Sequence, residues 1–377
     1  MTNNKTSQRE EPLDLVGAYT RLLALFPEDA QGHGLDRGGP PGVAADQPMT
    51  YGLVLSAESL RYRATPSGEG NRRIRQAALW LLDNSNLGGN NIGWGLPHAW
   101  EHRPTNTVFT ITTAIAIEGL LDALKLPLWS PAELDRALVL MRQVCNRWSR
   151  ELWADGYSGG YFGYSPRDMA PPFFCINAPA MYLGALSRLM AEHKGNIPRD
   201  ELHLVQEHAD ALARACLATV ELRSGSPYWE YIAQPNPLNS KRPNDLIHHV
   251  YILWGLETYR ETGGHVKFPW TLEGTLESLD RFWKGGTIRF MAQDETTVTA
   301  ARREEPANAW GTGMLLACYG RWRQSRKTRE CFEAILASYG PFPRIRVLPA
   351  HVSDDAQFYP RDAAHVLFGL AYSAFGT

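Results

Sequence analysis

The feature that most constrains this chain is an alternation: a long loop rich in Gly, Pro and aromatics, then a helix of small residues, then a more charged helix. The loop Leu87–Thr105 leads into Asn106–Leu124, Trp153–Pro172 leads into Phe173–His193, and Ser224–Pro243 leads into Asn244–Thr262. Helices with so little charge are covered on most sides. Asn71–Asn84, Pro131–Glu151, Arg199–Leu222 and Lys327–Ser338 instead carry Arg, Glu and Lys along one face, as solvated outer helices do.

Helical spacing also predicts Glu11–Phe26, Met49–Arg63, Leu272–Trp283, Pro306–Gln324 and Pro360–Phe375, while strands are hard to place. Twelve helices in six inner–outer pairs define an all-α fold, an (α/α)6 toroid over residues 49–377. Residues 1–48 are expected to add a helix and an extended loop packed on the ring. The spacing between inner helices, roughly 55–70 residues, exceeds that of common helical solenoids, and the excess lies in the loops before the inner helices. In an alternating ring those loops emerge at one end, so one rim collects the aromatic segments and carries the expected binding surface.

Composition narrows the function classes. A formal net charge of −2 on 377 residues gives no electrostatic case for nucleic acid as a partner. No stretch is apolar for long enough to span a membrane, and the N-terminal residues lack the apolar core of a secretory signal, so a cytoplasmic protein is expected. Five cysteines without a CxxC pair read as buried reduced thiols. Phosphate-loop, zinc-protease, nucleophile-elbow and dinucleotide-binding motifs are absent from the sequence, and neither a cofactor nor a metal is expected.

Three loop–helix units carry the candidate chemistry. The first holds Trp94, His98, Trp100, Glu101 and Arg103, aromatic faces beside polar groups that suit the apolar and hydroxyl faces of a sugar. The second holds Tyr164 and Asp168 and leads to Asn177. The third is richest: Trp229, Glu230, Tyr231, Arg242, Asn244, Asp245, His248, His249 and Tyr251. Asn244 is read as the helix N-cap. Asp245 lies one turn before His248, so their spacing lets the carboxylate orient that imidazole and favours His248 over His249 as the residue facing inward. Trp310 and Asp354 belong to the later units, where surface ion pairing is the expected role of most charges, including Arg361 and Asp362.

At these residues the chain resembles bacterial exopolysaccharide-biosynthesis proteins with α/α-toroid folds. The tracts that carry the resemblance are WGLPHAWEHR with NTVFTITTAIAIEGLLDA, YFGYSPRD with CINAPAMYLGALSRL, and NDLIHHVYILWGLETY. The architecture it implies is similar to that of glucuronyl C5-epimerases, toroid polysaccharide lyases, sugar 2-epimerases and glycoside hydrolases. An oligosaccharide or polysaccharide is then the expected substrate. Terpenoid and lanthionine cyclases share related toroids, but their carboxylate and Cys-Cys-His sets are missing here.

Two mechanisms and one binding role follow. Epimerase- or lyase-type proton abstraction would use His248 with Tyr231 or Tyr251 as base and acid, and Arg242 and Asn177 to stabilise charge. Glycoside hydrolysis would use Glu101 or Asp168 with Glu230 or Asp354. A non-catalytic glycan-binding or assembly protein would use the aromatic cleft alone.

Overall fold

A computed structural model of the chain describes residues 13–85, 92–100, 103–151, 153–154, 161–165, 175–231, 243–349 and 357–376. The chain enters through α1 (Leu15–Leu23) and a β-hairpin, β1 (His33–Leu35) with β2 (Ala44–Asp46), then forms α2 (Pro48–Ala64), α3 (Gly68–Asp83), α4 (Thr110–Leu124) and α5 (Pro131–Glu151). The hairpin β3 (Trp153–Ala154) with β4 (Tyr161–Phe162) precedes α6 (Asn177–His193) and α7 (Arg199–Ala218). A third hairpin, β5 (Glu221–Arg223) with β6 (Ser226–Tyr228), precedes α8 (Leu246–Glu261) and α9 (Leu272–Asp280). The last hairpin, β7 (Trp283–Lys284) with β8 (Thr287–Ile288), and the short α10 (Ala300–Glu304) lead to α11 (Ala309–Arg321), α12 (Ser325–Tyr339) and α13 (Pro360–Phe375).

Six helices close a ring. α2 packs on α4, α4 on α6, α6 on α8, α8 on α11, α11 on α13, and α13 returns to α2. The more charged α3, α5, α7, α9 and α12 lie outside, and α1 packs on α13, where Tyr19 meets Phe375 edge-on at 5.2 Å. The fold is the all-α, (α/α)6 toroid expected from the alternation. Helix ends follow local chemistry: Ser130 and Glu133 form a reciprocal capping box at the start of α5, with Glu133 Oε2 accepting from Ser130 N at 2.9 Å and Ser130 Oγ from Glu133 N at 3.3 Å.

The small residues of the inner helices serve close approach. A Cβ on Gly119 would meet Gly52 O at 2.4 Å, one on Gly255 would meet Ala180 O at 1.8 Å, and one on Gly369 would meet Gly313 O at 2.3 Å. These contacts tie α2 to α4, α6 to α8 and α11 to α13, every second junction of the ring. Among the described residues, the four hairpins all lie in segments leading to inner helices. They escaped the sequence reading because two- and three-residue strands are too short to show an alternating pattern. The connections at the opposite end, such as 65–67, 125–130 and 322–324, are short.

Candidate functional site at the N-terminal ends of the inner helices

α8 supplies the centre of the site. Asp245, not Asn244, is its N-cap: the Asp245 backbone is extended, and its Oδ1 accepts from His248 N at 3.1 Å. The same oxygen lies 2.7 Å from His248 Nδ1. A carboxylate can only accept, so Nδ1 carries the proton and Nε2 presents its lone pair. The Tyr231 ring stands edge-on to the imidazole at 4.6 Å between centroids. Burial raises the Tyr231 hydroxyl well above the usual phenol range, with the Cys175 thiol the next cause, so it is a proton donor at neutral pH. Tyr231 donates to Cys175, whose thiol in turn donates to Asn177 Oδ1 at the first turn of α6. Burial pushes that thiol up to about 12, which removes it as a nucleophile.

His249 points the other way. Its Nε2 is 2.6 Å from Ser278 Oγ, and its ring lies among Tyr228, Trp229 and Phe282 in the layer between α8 and α9. Trp229 and Trp94 are also fully buried, with indole N–H groups donating to Cys216 O at 2.9 Å and Leu81 O at 3.0 Å. These three expected site residues therefore sit in the wall. Asn244 is buried behind Asp245, and its side-chain amide makes no hydrogen bond.

Tyr251 belongs to a fixed relay. Its hydroxyl accepts from Trp310 Nε1 at 2.7 Å and lies 2.7 Å from His365 Nε2. His365 Nδ1 lies 2.6 Å from the Arg361 carbonyl, which can only accept, so Nδ1 is protonated and Nε2 takes the Tyr251 proton. Burial holds His365 well below the ordinary imidazole range and therefore neutral. With both roles of its oxygen occupied, Tyr251 orients Trp310 and His365.

A third cluster stands where α4 begins. Trp100, Phe109 and Tyr164 pack 5.6–5.9 Å apart, and the Arg103 guanidinium lies 4.8 Å from the Trp100 ring centre. Trp100 and Arg103 exchange two backbone hydrogen bonds of 2.9 Å, which pins the segment. Tyr164 adds, after burial, to the raised hydroxyls of both Tyr231 and Tyr251. Glu230 bridges to Pro243 at the edge of the site. Glu101, Asp168, Arg242 and Asp354 lie outside the described residues.

Sequence reasoning missed the closing wall. Arg361 donates to Asp36 at 2.8 Å and Arg37 to Asp362 at 3.1 Å, two crossed pairs that join the N-terminal hairpin to α13. Arg361 and Asp362 are thus largely buried in these pairs rather than paired on the surface, although Arg37 itself is exposed. His98 packs beside them against Gly39, lowered from its usual range by burial, with Asp36 opposing and Arg361 reinforcing the shift. The available signal was His365 one turn after Arg361 on a helix otherwise short of charge.

Solved structures share this fold over nearly their whole length. The chain is similar to a D-mannose isomerase (13% identity, TM-score 0.64, covering 95% of this chain and 96% of that one). It is also similar to cellobiose 2-epimerase from Bacillus thermoamylovorans (10%, 0.63, 94% and 98%) and to a GH76 α-mannanase from Bacteroides thetaiotaomicron (12%, 0.62, 97% and 96%). At these identities the likeness establishes the toroid. No protein-family model matches the chain, and no curated protein matches it by sequence.

Proposed function

We propose that this chain is a carbohydrate-active enzyme that moves a proton at a sugar carbon, with His248 as base and Tyr231 as acid. The observation that carries the reading is the Asp245–His248 pair set edge-on to Tyr231 at the mouth of the ring. His248 Nε2 takes the proton from a carbon next to a carbonyl or carboxylate, Asp245 stabilises the imidazolium, and Tyr231 delivers a proton to the other face or to a leaving oxygen. Delivery to carbon gives epimerisation; delivery to the leaving oxygen gives a lyase. Trp100, Tyr164 and Trp310 offer ring faces for the CH side of the sugar. Toroids of this shape serve the sugar isomerase, epimerase and mannanase named above, which supports a saccharide substrate. A uronate-bearing glycan of bacterial surface-polysaccharide synthesis suits both the proton chemistry and the sequence resemblance.

The test is incubation of the protein in heavy water with uronate-containing oligosaccharides and with reducing disaccharides, read by NMR and mass spectrometry. Deuterium at one carbon, lost in His248→Gln, is the expected result. Unsaturated chain ends with no mass gain would mark the lyase course; new reducing ends with the mass of added water, and no deuterium at carbon, would assign hydrolysis instead, and saturable binding without any product would assign a glycan-binding role.

A further inference from the structure

At the opposite end of the ring, where the six inner helices finish, lies a cavity of about 390 Å3 lined by residues of all six. That volume falls within the range of about 300–1,000 Å3 typical of small-molecule sites. Its walls are charged, and most charges are matched. Arg188, buried from α6, reaches Glu118, Asp122 at 2.7 Å and Glu192 at 3.1 Å. Lys125 holds Glu192 at 2.8 Å, and Arg321 holds Glu261 at 2.5 Å while stacking 4.3 Å over Trp254. The carbonyl ends of six helices add partial negative charge here, which the buried Arg188 and the half-buried Arg321 answer.

Two cations are left over. Arg63 at the end of α2 and Arg323 after α11 line the same cavity, are exposed, and make no ion pair among the described residues. The Tyr372 hydroxyl, also in the lining, makes no hydrogen bond among the described residues either. Two guanidinium groups lining one polar cavity match the oxygens of a phosphate or carboxylate, and a phenol in the same lining matches a hydroxyl.

We propose that this cavity is a second ligand site, for a small polyhydroxy anion such as a sugar phosphate or a uronate, whose anionic group is held by Arg63 and Arg323. It lies at the far end of the inner helices from His248, so the site stands or falls independently of the chemistry at the mouth.

Isothermal titration of the full chain with glucose 6-phosphate, glucuronate, inorganic phosphate and glucose tests this. The expected order is one of the two sugar anions first, then phosphate, with glucose silent; whichever sugar anion leads identifies the anionic group. Arg63→Gln with Arg323→Gln should weaken binding by at least about tenfold, and His248→Gln should leave it unchanged. Tyr372→Phe should weaken the sugar anions but not phosphate. Circular dichroism checks that the variants, two of them at exposed positions, remain folded. Absence of anion binding, binding indifferent to loss of both arginines, or binding lost in His248→Gln would overturn the proposal.

Discussion

Asp36 and Arg361 are 325 residues apart in sequence and form a 2.8 Å ion pair at the mouth of the ring, with the Asp36 side chain only 5% exposed. Arg361 also stacks 4.6 Å over Trp310, and its carbonyl fixes His365. Removing one partner of a buried pair leaves the other charge desolvated. Arg361→Ala is expected to cost about 3–5 kcal/mol of unfolding free energy in urea titrations. Exposed pairs provide the control: Arg302→Ala, which breaks the pair to Glu305, should cost less than about 1 kcal/mol.

Two buried histidines set an acid limit on stability. The Ser278 hydroxyl donates to Pro227 O, so Ser278 must accept from His249 Nε2–H, and His249 Nδ1 is left buried with no partner. Burial lowers this imidazole to about 3, and burial also holds His365 well down. Both folded values lie below the unfolded value of about 6.5, so the unfolded chain binds more protons in acid. Their contribution is complete above that value. It falls by up to about 1.4 kcal/mol per pH unit for each histidine as pH drops from 6.5, for His249 continuing to about 3. Urea titrations from pH 7 to 5 should show the loss, and His249→Gln should make the slope shallower.

The ring was legible because charge and residue size differ between its two layers over whole helices. Pro131–Glu151 and Pro360–Phe375 were placed to the residue, since a proline opens each. The start of α8 shows the limit: Asn244 and Asp245 are both good caps, and only the backbone turn at Asp245 decides between them. The Asp245–His248 contact was legible through its i, i+3 spacing. Asp36, Arg361 and His365 were not, because their meaning depends on the closure of α13 against the N-terminal hairpin, a contact across almost the full chain.

Ring closure also makes glycine positions fragile. A methyl group at Gly255 would meet Ala180 O at 1.8 Å, an overlap with backbone that no rotamer relieves. α6 and α8 must then separate, and α8 carries His248. Gly255→Ala is expected to destabilise the fold by about 1–3 kcal/mol or more. Gly195→Ala, where nothing lies within 4 Å, should leave the melting temperature nearly unchanged.

Asp245 has two tasks that substitution can separate. As N-cap it accepts from His248 N, and as carboxylate it fixes the proton on His248 Nδ1. Asparagine caps a helix about as well as aspartate, but its amide can donate to Nδ1 and select the other tautomer. Asp245→Asn should therefore keep the wild-type melting temperature and lower solvent-deuterium incorporation by about 10²–10⁴-fold. Asp245→Ala should lose the same activity and about 1 kcal/mol of stability with the cap. Equal stability losses in the two variants, with deuterium incorporation intact in the asparagine form, would reduce Asp245 to a cap and remove the carboxylate from the mechanism.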